Sequence, residues 1–390
     1  MRAIVYCGPG DVRLDEVRDP ELEEESDAIV RLTASAISGF DLQIVRGSVP
    51  EMLDGTVLGH EGVGVVEDLG ADVRNFEIGD RVLICPTLAC GDCHACRRGR
   101  YAHCERANPN GPGFGPAMFG GPAPSGPFHG LMAEYARVPF AHTTLLRLPD
   151  ALSDGEGLQL ADALPSGHFA VRLVQLRPGQ SLAVFGCGPA GQQAITCAAR
   201  LGAGRIFAID GLESRLDAAR ARGAEAIDLE REDPVEVIDA LTQGRGTDCV
   251  IDAVPLDALP SRFGQERLCP RARDNLCALL EGMLLSRAAA TDEAAQSLEW
   301  SVASAATGGT VALLCLQPGE ARRFPLGTAL RKGLTLRLGT CHHRKYLPHL
   351  IEAFEDRPGA LEEGLACGLD DGASDGRALE RRFFDLSPWS

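Results

Sequence analysis

The chain has 390 residues, of which 45% are hydrophobic and 24% charged, with a formal net charge of -17 and a pI near 5.0. At roughly 150 residues per domain that length predicts two domains, and the acidity opposes binding to a phosphate backbone or an anionic bilayer, so neither nucleic acid nor membrane is expected as a partner. "MRAIVYCGPG" runs straight into an apolar strand-like stretch, and no apolar run approaches the ~20 residues of a membrane span; a cytoplasmic protein is expected.

Over the first 150 residues, short β-branched runs ("AIVRLTASAI", "GVGVVEDLG", "RVLICP") alternate with glycine turns and predict an antiparallel, barrel-like β domain. "SAISGFDLQIVRG", residues 35 to 47, reads as a strand ending in small residues, a turn at Gly39 and an aspartate at Asp41. Residues 108 to 130, "NPNGPGFGPAMFGGPAPSGPFHG", form a long irregular loop; its length and aromatic residues tilt it toward lining a pocket rather than hanging free.

Between these lies "CGDCHACRRGRYAHC", with two, two and seven residues between Cys90, Cys93, Cys96 and Cys104. Four thiolates that close can surround one tetrahedral zinc with no open position, the arrangement of a structural site. A redox pair needs only two of them and a different context. The other ten of the fourteen cysteines are scattered, and buried free thiols are expected there.

From about residue 160 the pattern becomes strand, helix, strand: "SLAVFGCGPAGQQAITCAARLGAGRIFAID", "RLDAARARGAEAIDL", "GTDCVIDAV" and "GGTVALLCL". Apolar strands separated by helical stretches indicate a parallel α/β sheet. "VFGCGPAG" sets Gly186, Gly188 and Gly191 in dinucleotide spacing after one strand and before a helix opening at Pro189 and Ala190, with Asp210 ending the next strand. The first glycine permits the tight turn, the second lets a pyrophosphate approach, the third packs helix on strand, and the helix start offers N–H groups to phosphate. Asp210 can accept from both ribose hydroxyls and repels a 2′-phosphate, so NAD is preferred to NADP; Arg215, close by, tempers that preference. After 345, "KYLPHLIEAFED" is amphipathic and the chain is expected to return to the first domain.

Together with "GHEGVGVV", "MAEYARVP", "LADALPSGH" and "LRKGLTLRLGT", these motifs resemble the zinc-containing medium-chain dehydrogenase/reductase family, and within it the formaldehyde dehydrogenase-like branch. The resemblance implies an α/β protein with a GroES-like β-barrel catalytic domain (1–162 and 341–390, structural zinc lobe 85–106) and a Rossmann NAD-binding domain (163–340), assembled as a homodimer or homotetramer. It also implies a catalytic zinc, whose ligand positions fall on Ser38, His60, Glu61 and Asp162. A serine hydroxyl is a poor ligand where the family has a thiolate, so this zinc is expected to be weakened. Asp162 reads equally as a helix cap. The family's usual hydroxyl residue is Phe40, and its relay histidine position is Gln43. The implied activity is hydride transfer between NAD and a small or medium alcohol, aldehyde or related carbonyl held beside Ser166, Phe40 and His60. The alternatives are a redox-neutral lyase or isomerase with retained NAD, or a zinc-independent reductase of an activated C=C or C=N bond. An insertion at about 255–300, carrying Arg262, Arg267, Arg271 and Arg273, resembles a cofactor-covering segment of that branch and is expected to slow NAD release.

Overall fold

The structure, a computed structural model, describes residues 1–254, 289–314, 324–355 and 383–385, and it divides into two units: Met1–Pro165 with Cys341–Ser390, and Ser166–Thr340. The first opens with an antiparallel ladder of β1 (Arg2–Tyr6) and β2 (Val12–Glu16). β3 (Ala28–Ala36) follows, then helix α1 (Gly39–Val45), β4 (Glu61–Leu69), β5 (Arg81–Ile84), α2 (His94–Arg97), β6 (Tyr135–Val138), α3 (Ala141–Thr144), β7 (Leu145–Arg147) and α4 (Asp154–Ala161). The antiparallel sheet expected from the alternating runs is present: β3 pairs β4, β4 pairs β5, β5 pairs β7, and β6 lies against the start of β3. Val30, Leu32, Val66, Val82, Ile84 and Leu145 are buried in its core, because inward positions along each strand carry branched apolar side chains.

Where a turn was expected at Gly39 there is a helix. Ser38 accepts from the backbone N–H groups of Phe40 and Asp41, while the Asp41 carboxylate accepts from the Ser38 N–H. That reciprocal pair satisfies the free donors of the first turn and starts α1 at once. The 108–130 loop is tied down from within the first unit: Asn108 donates to Gly115 and Pro124 carbonyls, and Phe119 is buried in the barrel core.

The second unit holds α5 (Ala163–Leu173, entered from the first unit), β8 (Leu182–Phe185), α6 (Pro189–Leu201), β9 (Ile206–Asp210), α7 (Glu213–Ala221), β10 (Glu225–Asp228), α8 (Pro234–Thr242) and β11 (Thr247–Asp252). It continues with α9 (Ala289–Ser304), β12 (Ala305–Leu313), α10 (Leu326–Lys332) and β13 (Thr335–Leu338). All its strands are parallel, in the order β10-β9-β8-β11-β12-β13. This is the doubly wound arrangement with its reversal between β8 and β11, where such sheets bind nucleotides beyond the strand carboxyl ends. β8 is buried along its whole length, as a strand covered on both faces requires.

The chain then re-enters the first unit with α11 (His343–Glu355) and β14 (Phe383–Asp385), the latter pairing with Ala34–Ala36 of β3. The expected insertion with its four arginines lies, up to residue 288, outside the described residues. No described helix is long and apolar enough to cross a membrane.

Candidate active site and metal centres

Cys90, Cys93, Cys96 and Cys104 converge because α2 and a short 3-10 turn at Tyr101–His103 fold the lobe back on itself. All four thiols are buried, and their sulfurs lie within 4.8 Å of one another. The Cys93 and Cys104 sulfurs are 4.0 Å apart, against about 3.8 Å between thiolates at ~2.3 Å from a tetrahedral zinc. Backbone N–H groups already point at the sulfurs, Cys90 at Cys104 (3.3 Å), and Cys96 (3.4 Å) and Glu105 (3.5 Å) at Cys93. Burial raises the Cys93 thiol, but those donors reverse it and bring its pKa down to about 7; burial pushes Cys90 up to about 12. Four buried sulfurs this close fit zinc, whose charge would hold them all as thiolates.

The second centre forms at the head of β4. His60 precedes the strand and Glu61 begins it, 5% and 0% exposed. Asp162 is carried there by α4, which a Ser153–Glu156 capping box starts and which packs on β3 and β4. Ligand atoms of His60, Glu61 and Asp162 lie within 4.8 Å of one another. Asp162 ends α4 as its C-cap residue, with φ -132° and ψ -57°. Its Oδ2 faces His60 Nε2 at 3.9 Å, and its Oδ1 accepts a 2.9 Å hydrogen bond from His343 Nε2.

On the other side of the imidazole, Asp41 Oδ1 stands 3.9 Å from His60 Nδ1, buried and without a hydrogen-bond partner among the described residues. Burial alone disfavours a charged His60, yet Asp162, Asp41 and Glu61 hold its pKa up at about 9. Burial likewise opposes ionisation of Asp162, but His343 and His60 keep it well below the usual carboxylate range. An imidazole and two carboxylates, with a third carboxylate behind, match a divalent cation of zinc's class or a harder one. The Ser38 hydroxyl is spent on capping α1 and on a 2.7 Å bond to Asp41 Oδ2. Phe40 stands edge-on to His60, ring centroids 5.9 Å apart, and Gln43 is buried. Two neighbours escaped the sequence reading: Asp41 as the carboxylate behind His60, and His343, which has no local signal because it bonds a residue 181 positions away.

In the second unit, Gly186 turns at φ +84° and Gly188 is the N-cap of α6, with Pro189 as its first residue. A Cβ on Gly191 would strike the Gly186 carbonyl oxygen, whereas one on Gly188 would meet nothing within 4 Å. Gly191 is therefore closed by packing, and Gly188 presents an open face beside free helix N–H groups, the fit a pyrophosphate needs. Asp210, 7% exposed, accepts from Cys187 N (2.8 Å) and Leu212 N (3.0 Å), and Arg215 Nη1 reaches it at 3.4 Å. Oδ2 takes both Cys187 N and Arg215 Nη1, while Oδ1, with Leu212 N alone, keeps a lone pair for a ribose hydroxyl. Ser166 is the first residue of this unit.

Residues 24–150 match the model of the alcohol dehydrogenase GroES-like domain, and residues 189–262 that of the zinc-binding dehydrogenases. An uncharacterised zinc-type alcohol dehydrogenase-like protein of Bacillus subtilis is 33% identical over 356 residues, covering 90% of this chain and 89% of its own length. Glutathione-independent formaldehyde dehydrogenase of Pseudomonas aeruginosa is 34% identical over 272 residues, 66% of each chain. Among solved structures, alcohol dehydrogenase from Thermus sp. ATN1 superposes with a TM-score of 0.73 at 32% identity, covering 92% of this chain and 89% of that one.

Proposed function

The chain belongs to the zinc-type alcohol dehydrogenase family of medium-chain dehydrogenases, and from that membership we propose that it is an NAD(H)-dependent oxidoreductase acting on a small or medium alcohol, aldehyde or related carbonyl. The observation that carries this reading is the convergence of buried His60 and Glu61 with half-buried Asp162 in a chain that also has the open glycine loop at Gly188. The similarity to a formaldehyde dehydrogenase supports a one-carbon or short-chain substrate. The relatives named are dehydrogenases, so the redox-neutral alternative is not adopted.

When bound, NAD would supply or accept the hydride and zinc, held by His60, Glu61 and Asp162, would supply Lewis acidity toward the substrate oxygen. Asp210 selects the cofactor by accepting from the adenosine ribose hydroxyls, and the Gly188 backbone and α6 N–H groups hold the pyrophosphate. His60, Glu61 and Asp162 would supply the donor atoms, and the Asp41 carboxylate, 3.9 Å from His60 Nδ1, favours by its charge the ring orientation in which Nε2 faces Asp162. Phe40 walls the His60 side with an apolar ring, excluding water and suiting a substrate that carries little polarity beyond its reacting oxygen. Ser38 in place of a thiolate leaves this centre with less ligand charge than the four-cysteine site. A homodimer or homotetramer belongs to the same proposal; Leu336 and Leu338 are exposed on the edge strand β13.

The test is elemental analysis with NAD-linked turnover over a panel of primary alcohols and aldehydes, formaldehyde among them. One tightly held zinc, a second removable by mild chelation, and activity that follows the second support the reading. Activity that survives removal of all but one zinc refutes the role of the trio. NADP bound as tightly as NAD refutes that of Asp210.

A further inference from the structure

We propose that His343 is the positioning residue of the second metal centre, fixing Asp162 so that it ligates through Oδ2 alone; this rests on reading His60, Glu61 and Asp162 as ligands. His343 opens α11, whose other buried positions are Leu347, Ile351 and Phe354. An apolar residue at 343 would complete that stripe at helical spacing. A histidine stands there instead, 4% exposed, and its Nδ1 is buried without a hydrogen-bond partner among the described residues. Burying half of an imidazole's polar capacity unsatisfied costs stability. Among the described residues, what offsets that cost is the 2.9 Å hydrogen bond from Nε2 to Asp162 Oδ1.

The consequence is directional. An ionised carboxylate only accepts, so His343 donates through Nε2–H and its tautomer follows. With Oδ1 engaged by His343, Oδ2 is the oxygen that faces His60 Nε2, 3.9 Å away. Asp162 is thereby held in the orientation that turns Oδ2 toward His60 and Oδ1 toward His343. Ser38 brings no thiolate to this centre, so more of the ligand charge falls on the carboxylates, and the group that orients one of them weighs more than it would in a thiolate-rich site.

The test uses full-length protein with zinc in the four-cysteine site, titrated with cobalt(II) and followed by the visible d–d absorption of the second ion. His343→Met keeps the length and removes the donor; His343→Gln keeps an Nε2 donor. The expected result is a loss of about 10- to 100-fold in cobalt affinity with a shifted band for His343→Met, and recovery to within a few-fold of wild type for His343→Gln. The melting temperature of His343→Met should not fall, since an apolar residue completes the α11 stripe. Should His343→Met not fold, His343→Asn, whose amide is too short to reach, takes its place against His343→Gln. Equal affinity and an unchanged band in the variant without the donor overturn the proposal alone. Wild-type protein that takes up no second ion overturns the reading of the trio, and the proposal with it.

Discussion

Asp252 closes β11 with its carboxyl 4% exposed, accepting from Val254 N at 3.1 Å and Ser301 Oγ at 3.2 Å. Burial outweighs those bonds and raises its pKa to about 6. The folded protein thus holds this proton where the unfolded chain has lost it. Its contribution to stability is full below about pH 4, declines as pH rises through about 6, and is flat above. Asp252→Asn should remove the decline, so its advantage over wild type in urea unfolding should widen by about 1–2 kcal/mol between about pH 5 and pH 7.5. A constant difference would show that the carboxyl is ionised throughout. At Ser38, alanine removes the cap of α1 and should cost about 1 kcal/mol, measured by denaturant titration. Ser38→Cys should raise the zinc content of the second centre, and unchanged content would mean that residue 38 cannot turn toward the trio. The four cysteines were legible in the sequence because their partners lie within fifteen residues. Asp41 was visible only as a letter, since its place behind His60 depends on how α1 packs.

Two glycines of the loop joining β8 to α6 separate packing from binding. Gly188→Ala has room for its methyl but puts it where a pyrophosphate would lie; Gly191→Ala drives the methyl into the Gly186 carbonyl. Gly188→Ala should therefore keep the melting temperature and lose NADH binding by tenfold or more, while Gly191→Ala should lower the melting temperature. Calorimetry with NADH fluorescence titration distinguishes them, and the reverse pattern would mean the phosphates bind elsewhere. This βαβ unit could be read from sequence because its strands are continuous apolar runs broken by glycine at set positions. α1 could not: seven residues are too few for a periodic pattern, and its start depends on the reciprocal Ser38–Asp41 bonds. In the zinc lobe, exhaustive chelation should release the segment from Cys90 to Cys104, seen as proteolytic cleavage at the exposed Arg97–Arg98 pair.

At the scale of the molecule, composition and motif order made the two kinds of fold legible, a β domain and a parallel α/β sheet, and the chain's return to the first unit was expected beyond residue 345. Nothing local in "CHHRKYLPHL" says that His343 completes a site begun at His60. A chain ending at Thr340 keeps the whole of Ser166–Thr340 and loses α11 and β14. It should still bind NADH but hold its second metal poorly; retention of that metal at wild-type affinity would show that the return segment is dispensable.

The pairing of β14 with Ala34–Ala36 also sets an order of events during synthesis. That stretch of β3 must wait for residues 383–385 while residues 166–340 are translated, roughly nine to thirty-five seconds at about 5–20 residues per second. For that interval the ribosome displays a nascent barrel with an open strand edge, a template for pairing with neighbouring chains. Slower translation of residues 166–340 should therefore lower soluble yield without altering the stability of the finished protein.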